Sequence, residues 1–238
     1  MTTCLLIRHG QSRANVDGVL AGRLDSALTD DGLAQARQVA ADLSAVPLRQ
    51  VVTSPLTRCL ATAEEITTIH PGGLTPVLDD RFVEVGYGAW TGRSLKELAD
   101  DPLWATIQST PSTVTFPASD EHVSESMAGM SERAWAAWLE WEERISAVGE
   151  QSVWAVVSHG DLIKALLARA LGLSLDAFQS IVVDPASVSI IQRHRGRTAV
   201  TGLNLRDDVY ARLARVDADE SDQEAGESNA GVVGGGNA

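Results

Sequence analysis

Two histidines of this chain stand in nearly the same local setting. His9 follows the apolar run Leu5-Leu6-Ile7 and Arg8 and precedes Gly10, and His159 follows Val153 to Val157 and Ser158 and precedes Gly160. A short apolar run ending at polar residues reads as a buried strand that delivers functional groups at its carboxyl end. A third such run, Gln50 to Thr53, ends at Ser54-Pro55 and leads into a helical stretch that carries Arg58. Gathering Arg8, Arg58, His9 and His159 at one place is electrostatically costly unless an anion neutralises them. A tetrahedral dianion such as phosphate suits guanidinium forks, and Gly10 and Gly160 let backbone come close to it. The chemistry expected is the binding of a phosphoryl group, with the two histidines beside it.

A metal site is the rival, since His9, His159 and Glu84 could supply three ligands. Arg8 and Arg58 weigh against it. Fixed positive charge opposes a divalent cation, whereas beside a phosphoryl group it lowers the energy of the transition state. The expectation is therefore no metal and no organic cofactor. His70, His122 and His194 lack the strand-end context and read as solvated surface residues.

These groups need a scaffold. In LTDDGLAQARQVAADL, Thr29 is the expected N-cap, Asp30 and Asp31 suit the positive end of the helix dipole, and Leu33, Ala36, Ala40 and Leu43 form the inner stripe. After the strand Val153 to Val157, Asp161 is the expected cap of a helix whose Leu162, Ala165, Leu166 and Ala170 share a face. Strand and helix in alternation predict an α/β three-layer sandwich, with a mostly parallel central sheet, helices on both faces and ligands beyond the strand carboxyl ends. From 91 to 150 the strand rhythm disappears, and this segment is expected to be a helical cap insertion. Within it, Trp135, Trp138 and Trp141 form a packing stripe, and Arg133 and Arg144 read as lone bases. Ser187 to Gln192 and Thr198 to Leu203 predict a hairpin whose turn contains Gly196. The expected layout is one catalytic domain over 1–215 and an acidic, Gly-rich, disordered tail over 216–238.

At these residues the sequence resembles the histidine phosphatase superfamily, which includes the cofactor-dependent phosphoglycerate mutases. The resemblance is carried by RHGQSRAN, LTDDGLAQA, TSPLTRCLATAE, EVGYGAWTG and VVSHGDLIKAL, in that order, and covers about Thr2 to Leu205. It implies that His9 attacks phosphorus through one ring nitrogen while the other is held by a backbone acceptor, giving a phosphohistidine. It implies that Arg8, Arg58 and His159 bind the phosphoryl oxygens and that Asn15 adds a neutral donor. Gly22 and Tyr87 would complete the substrate site. Glu84, opening EVGYGAW, would protonate the leaving oxygen and then take a proton from water.

Two departures favour a phosphatase over a mutase. Ala21 stands before Gly22 where mutases place a hydroxyl residue, and the cap lacks their adjacent arginine pair. FPASDEHVSES is longer than the compact FPxGES of the broad phosphatase branch and lacks its glycine. The activity implied is that of a histidine acid phosphatase-type phosphomonoesterase acting on a small phosphorylated metabolite. A phosphomutase and a catalytically silent phospho-ligand-binding module are the alternatives.

Composition narrows the setting. The 238 residues are 44% hydrophobic and 21% charged, ordinary values for a globular protein. A formal charge of −13 opposes nucleic acid and anionic membranes. Six of the acids fall between Asp217 and Glu227. Cys4 and Cys59 are widely separated and read as buried free thiols. With no long apolar span and no signal-like start, a cytoplasmic location is expected. Oligomerisation is left open.

Overall fold

The computed structural model describes residues 1–149 and 151–206. Among these residues six strands, β1 (Thr2–Arg8), β2 (Leu48–Thr53), β3 (Val77–Leu78), β4 (Ser152–Ser158), β5 (Val188–His194) and β6 (Arg197–Leu205), form one sheet in the order β3-β2-β4-β1-β5-β6. Pairings among β1 to β4 are parallel, and β5 is antiparallel to both β1 and β6. The fold is thus α/β with a mostly parallel sheet. The expected hairpin is β5 and β6, joined by Arg195-Gly196, both at positive φ (49° and 80°). A two-residue turn of that hand matches the twist of the strands.

The described residues form seven helices: α1 (Arg13–Val16), α2 (Asp30–Leu43), α3 (Thr57–Ile69), α4 (Leu95–Leu98), α5 (Pro102–Ser109), α6 (Met127–Ser146) and α7 (Gly160–Ala170). The apolar strands look continuous in sequence, but their side chains alternate between two cores. Leu5, Ile7, Val51, Ala155 and Val157 meet α2 and α3 on one face. Cys4, Leu6, Val52, Trp154 and Val156 meet α6 and α7 on the other. Each central strand is covered twice, which explains why it carries no polar face.

Several local expectations need adjusting. Thr29 caps α2 by accepting from Gly32 N at 3.0 Å, but Val39, not the half-buried Leu33, belongs to its inner stripe. Although α6 lies within the segment expected to be a cap, it packs against β1, β4 and α7, with Trp138 wholly buried and stacked on Trp135. In the stretch before it, α5 packs on the 3-10 turns Pro111–Thr113 and Leu175–Ser180. His70 is not a surface residue. It is buried, with Nε2 against Val46 O at 2.8 Å and Nδ1 accepting from Gly72 N, because it closes α3 over the α2–β2 connection. His194 is exposed, as expected. Cys4 and Cys59 are free and buried. No described helix is long and apolar enough to cross a membrane. The tail expected over 216–238 lies outside the described residues.

Candidate active site

Strand register brings the two histidines together. β1 and β4 lie side by side with Arg8 opposite Ser158, so His9 and His159 leave adjacent strands at the same level. Their ring centroids are 5.3 Å apart. β2 pairs with the other edge of β4, Ser54 N reaching Val157 O, and the chain turns directly into α3, which places Arg58 in that helix's first turn. Three strand ends therefore converge through parallel pairing alone.

The resulting cavity measures about 360 Å³, and Arg8, His9, Arg58, Glu84, Tyr87 and His159 all line it, together with Asn15 and Gly22. His9 Nδ1 lies 2.7 Å from Gly10 O, so this nitrogen carries the proton, and Nε2 accepts from Arg58 Nε at 3.2 Å. Burial, followed by the charges of Arg58 and Arg8, holds the His9 pKa well below the usual histidine range. Burial, Arg58 and His9 do the same to His159, whose Nε2 meets Ser54 Oγ at 2.8 Å. Both rings are neutral near pH 7, as a nucleophilic imidazole must be.

The two arginines are held by backbone. Arg58 donates to Gly22 O (2.7 Å) and Leu24 O (2.9 Å), and Arg8 to Val183 O (2.6 Å). Neither forms an ion pair among the described residues, and Arg8 Nε is buried without a protein acceptor. Fixed positive charge with spare N–H donors on a cavity wall is an anion site. Gly22, at φ 53°, is required twice over: its conformation is left-handed, and a Cβ there would stand 2.6 Å from the Tyr87 ring. Asn15 Oδ1 accepts from Ser12 N and Oγ, which leaves the amide NH2 as its donor.

Glu84 occupies a position that sequence reasoning did not foresee. The expected cap, Asp161, does not cap α7; the N-cap is His159, with extended backbone and no side-chain capping hydrogen bond. The orphan N–H groups of Asp161 and Leu162 donate instead to Glu84, at 3.2 Å each, and Val85 N donates at 3.0 Å. A carboxylate from a distant segment thus closes the helix. Asp161, freed of capping, accepts from Tyr87 OH at 2.7 Å. Burial first, and the Asp161 charge second, raise the Glu84 pKa from 4.5 to about 7, against the backbone N–H groups and Arg58, which lower it.

Behind Glu84 lies a second missed feature. Arg133 is not a lone base: it donates to Glu84 O (3.1 Å) and Arg81 O (2.8 Å) and forms a forked pair with Glu125. Arg23 joins from the other side, to Glu84 O and to Glu125. The isolated appearance of these residues in sequence carried no signal of this clamp. Arg144 likewise pairs with Glu140 and lies over the Trp141 ring.

An α/β sandwich with two neutral histidines, two unpaired arginines and a proton-bearing carboxyl around one cavity defines a phosphoryl-handling protein. The model of the histidine phosphatase superfamily (branch 1) matches residues 4–206, and the chain belongs to that superfamily. Phosphoserine phosphatase 1 of Hydrogenobacter thermophilus is 31% identical over 210 residues, covering 86% of this chain and 93% of that one. A 2,3-bisphosphoglycerate-dependent phosphoglycerate mutase of Thermoplasma acidophilum is 26% identical, covering 88% and 96%. Among solved structures, YhfR of Bacillus stearothermophilus superposes with a TM-score of 0.75 at 28% identity, covering 85% of this chain and 96% of that one.

Proposed function

We propose that the protein is a phosphomonoesterase of the histidine acid phosphatase type, which hydrolyses small phosphorylated metabolites through a phosphohistidine on His9. The observation that carries this reading is the pairing of a neutral His9, its Nδ1 tied to Gly10 O, with a Glu84 carboxyl still able to hold a proton near pH 7 on the wall of the same cavity. His9 Nε2 forms a bond to phosphorus as the ester P–O bond breaks, and Glu84 gives its proton to the leaving oxygen. Water then attacks the phosphorus, Glu84 takes its proton, and the N–P bond breaks to release phosphate. Arg8, Arg58 and His159 offset the charge of the equatorial oxygens in both steps, and Asn15 adds a neutral donor. Gly22 and Tyr87 shape the wall near the leaving group.

A mutase differs only in the acceptor of the second step. Ala21, with no hydroxyl on that wall, favours water. The reaction is tested by rapid acid and alkaline quenching during turnover of an aryl phosphate, with a chelator present. An acid-labile, alkali-stable phosphoryl group on the chain, absent from His9→Ala, is expected. Loss of phosphate release on chelation would instead support metal-dependent hydrolysis, and tight phosphate binding without release would support a silent binding module. Transfer of the label to a hydroxy-acid acceptor in preference to water would support the mutase.

A further inference from the structure

Arg23 stands between the two residues whose carbonyl groups hold Arg58. Arg58 Nη2 donates to Gly22 O at 2.7 Å, and Nη1 to Leu24 O at 2.9 Å. The side chain of the residue between them reaches a different segment: Arg23 Nε donates to Glu84 O at 3.2 Å and Nη2 to Glu125 Oε2 at 3.0 Å. Glu125 is the counter-ion that keeps this guanidinium in place. It also holds the Glu84 segment a second time, accepting from Gly86 N at 3.2 Å. Only 32% of the Arg23 side chain and 17% of the Glu125 side chain are accessible, so water and salt screen the pair less than a surface ion pair. Arg133 grips Glu84 O as well, but from α6, which packs on the sheet. Arg133 thus fixes Glu84 to the body of the protein, and Arg23 ties it to the loop on which Arg58 rests.

We propose that Arg23 is a positioning residue, which sets the proton donor Glu84 at a fixed spacing from the phosphoryl cradle built on Arg58. This rests on the phosphatase reading and adds a residue to it. Protonation of a leaving oxygen needs the carboxyl within hydrogen-bond reach of that oxygen while the arginines hold the phosphoryl group, and a misplacement of about 1 Å slows such a step by up to roughly a hundredfold. The stretch Gly22 to Leu24 serves both demands. Its backbone orients the guanidinium of Arg58, and its one long side chain orients the backbone of Glu84. Because Arg23 reaches the carbonyl of Glu84 and not its carboxyl, its expected effect is on place rather than on acidity.

The test measures kcat and KM for an alkyl phosphate and for p-nitrophenyl phosphate in the unsubstituted protein, Arg23→Met, Arg23→Lys, Glu84→Gln, and Arg23→Met combined with Glu84→Gln. Arg23→Met should lower kcat for the alkyl ester about tenfold, and for the aryl ester, whose oxygen leaves with little help, less than about threefold. The basic limb of its pH profile and its affinity for inorganic phosphate should stay where they were. Arg23→Lys, with one charged group in place of a fork, should recover part of the loss. On the Glu84→Gln background Arg23→Met should have an effect below about twofold, because the group it places is gone. Equal slowing of both esters, a loss confined to KM or matched by a loss of phosphate affinity, or an undiminished effect on the Glu84→Gln background would overturn the proposal. Hydrogen exchange at the Val85 and Gly86 amides reads the tie without turnover. It should quicken in Arg23→Met, and unchanged exchange would overturn the proposal as well. Release of phosphate from neither ester by the unsubstituted protein, with exchange still quickened by Arg23→Met, would instead sink the phosphatase reading and leave the tie standing.

Discussion

Asp161→Asn isolates the electrostatic control of Glu84 with little change of shape, because asparagine keeps an oxygen for the Tyr87 hydroxyl. Raising the Glu84 pKa from 4.5 to about 7 disfavours its carboxylate by about 3 kcal/mol, at 1.36 kcal/mol per pH unit. Burial is the larger cause and Asp161 the second. Removing the latter should recover less than half of that, about 1 kcal/mol, and lower the Glu84 pKa by just under one pH unit. In the proposed mechanism the active form in the first step is protonated Glu84, so kcat/KM should fall above its pKa, and this limb should move to lower pH in the variant. At pH 8 the protonated fraction, and hence kcat/KM, should drop to roughly one fifth of the parent's, while at pH 5 the two proteins should be nearly equal. The ionisation of the substrate phosphate near pH 6 is common to both proteins and cancels in the ratio. The assay is kcat/KM for one alkyl phosphate from pH 4.5 to 9. Uniform slowing at every pH, or a limb displaced upward, would refute the assignment of Glu84 as the proton donor.

Glu84→Gln should slow alkyl phosphates by at least about a hundredfold, the usual scale of general-acid catalysis, and p-nitrophenyl phosphate far less; equal slowing would show that Glu84 gives no proton to the leaving oxygen. Arg133→Met removes donors from Glu84 O, Arg81 O and Glu125 together. It should lower kcat about tenfold for poor leaving groups with KM little altered, and a change confined to KM would contradict a positioning role. Gly10→Ala would put a Cβ 2.2 Å from Gly32 O, backbone that cannot yield, so denaturant unfolding should show a loss of about 3 kcal/mol; native stability would show that the β1–α2 junction is looser than described. His9 and His159 stay neutral when folded although free imidazole titrates near 6.5. Below that pH the unfolded chain therefore binds more protons, and these two residues oppose folding increasingly as the pH falls. Replacing both with Gln should flatten the fall of Tm between pH 6.5 and 5, and an unchanged slope would count against their burial as neutral rings.

The sequence by itself determined the frame and most of the cavity wall. Apolar runs ending at Arg8-His9, Ser54 and Ser158-His159 specify buried parallel strands, and parallel strands released at one level must converge. That is why His9, Arg58 and His159 could be named together from residues far apart in the chain. Glu84 and Tyr87 were legible only through their motif, since nothing in periodicity distinguishes Glu84 from Asp79 or Glu97. What tertiary structure decided were the partners of polar groups. A helix N-terminus needs acceptors, and local spacing nominated Asp161; the fold supplied Glu84 instead, and so tied the proposed proton donor to the helix whose N-cap is His159. The clamp of Arg23, Glu125 and Arg133, the burial of His70 and the bond of Lys164 to Gln179 have the same origin. Apolar burial follows a pattern that recurs every two or 3.6 residues and can be read along the chain. Charge and hydrogen-bond satisfaction depend on which segments meet in space, and residues 61 to 102 positions apart leave no periodic trace of meeting.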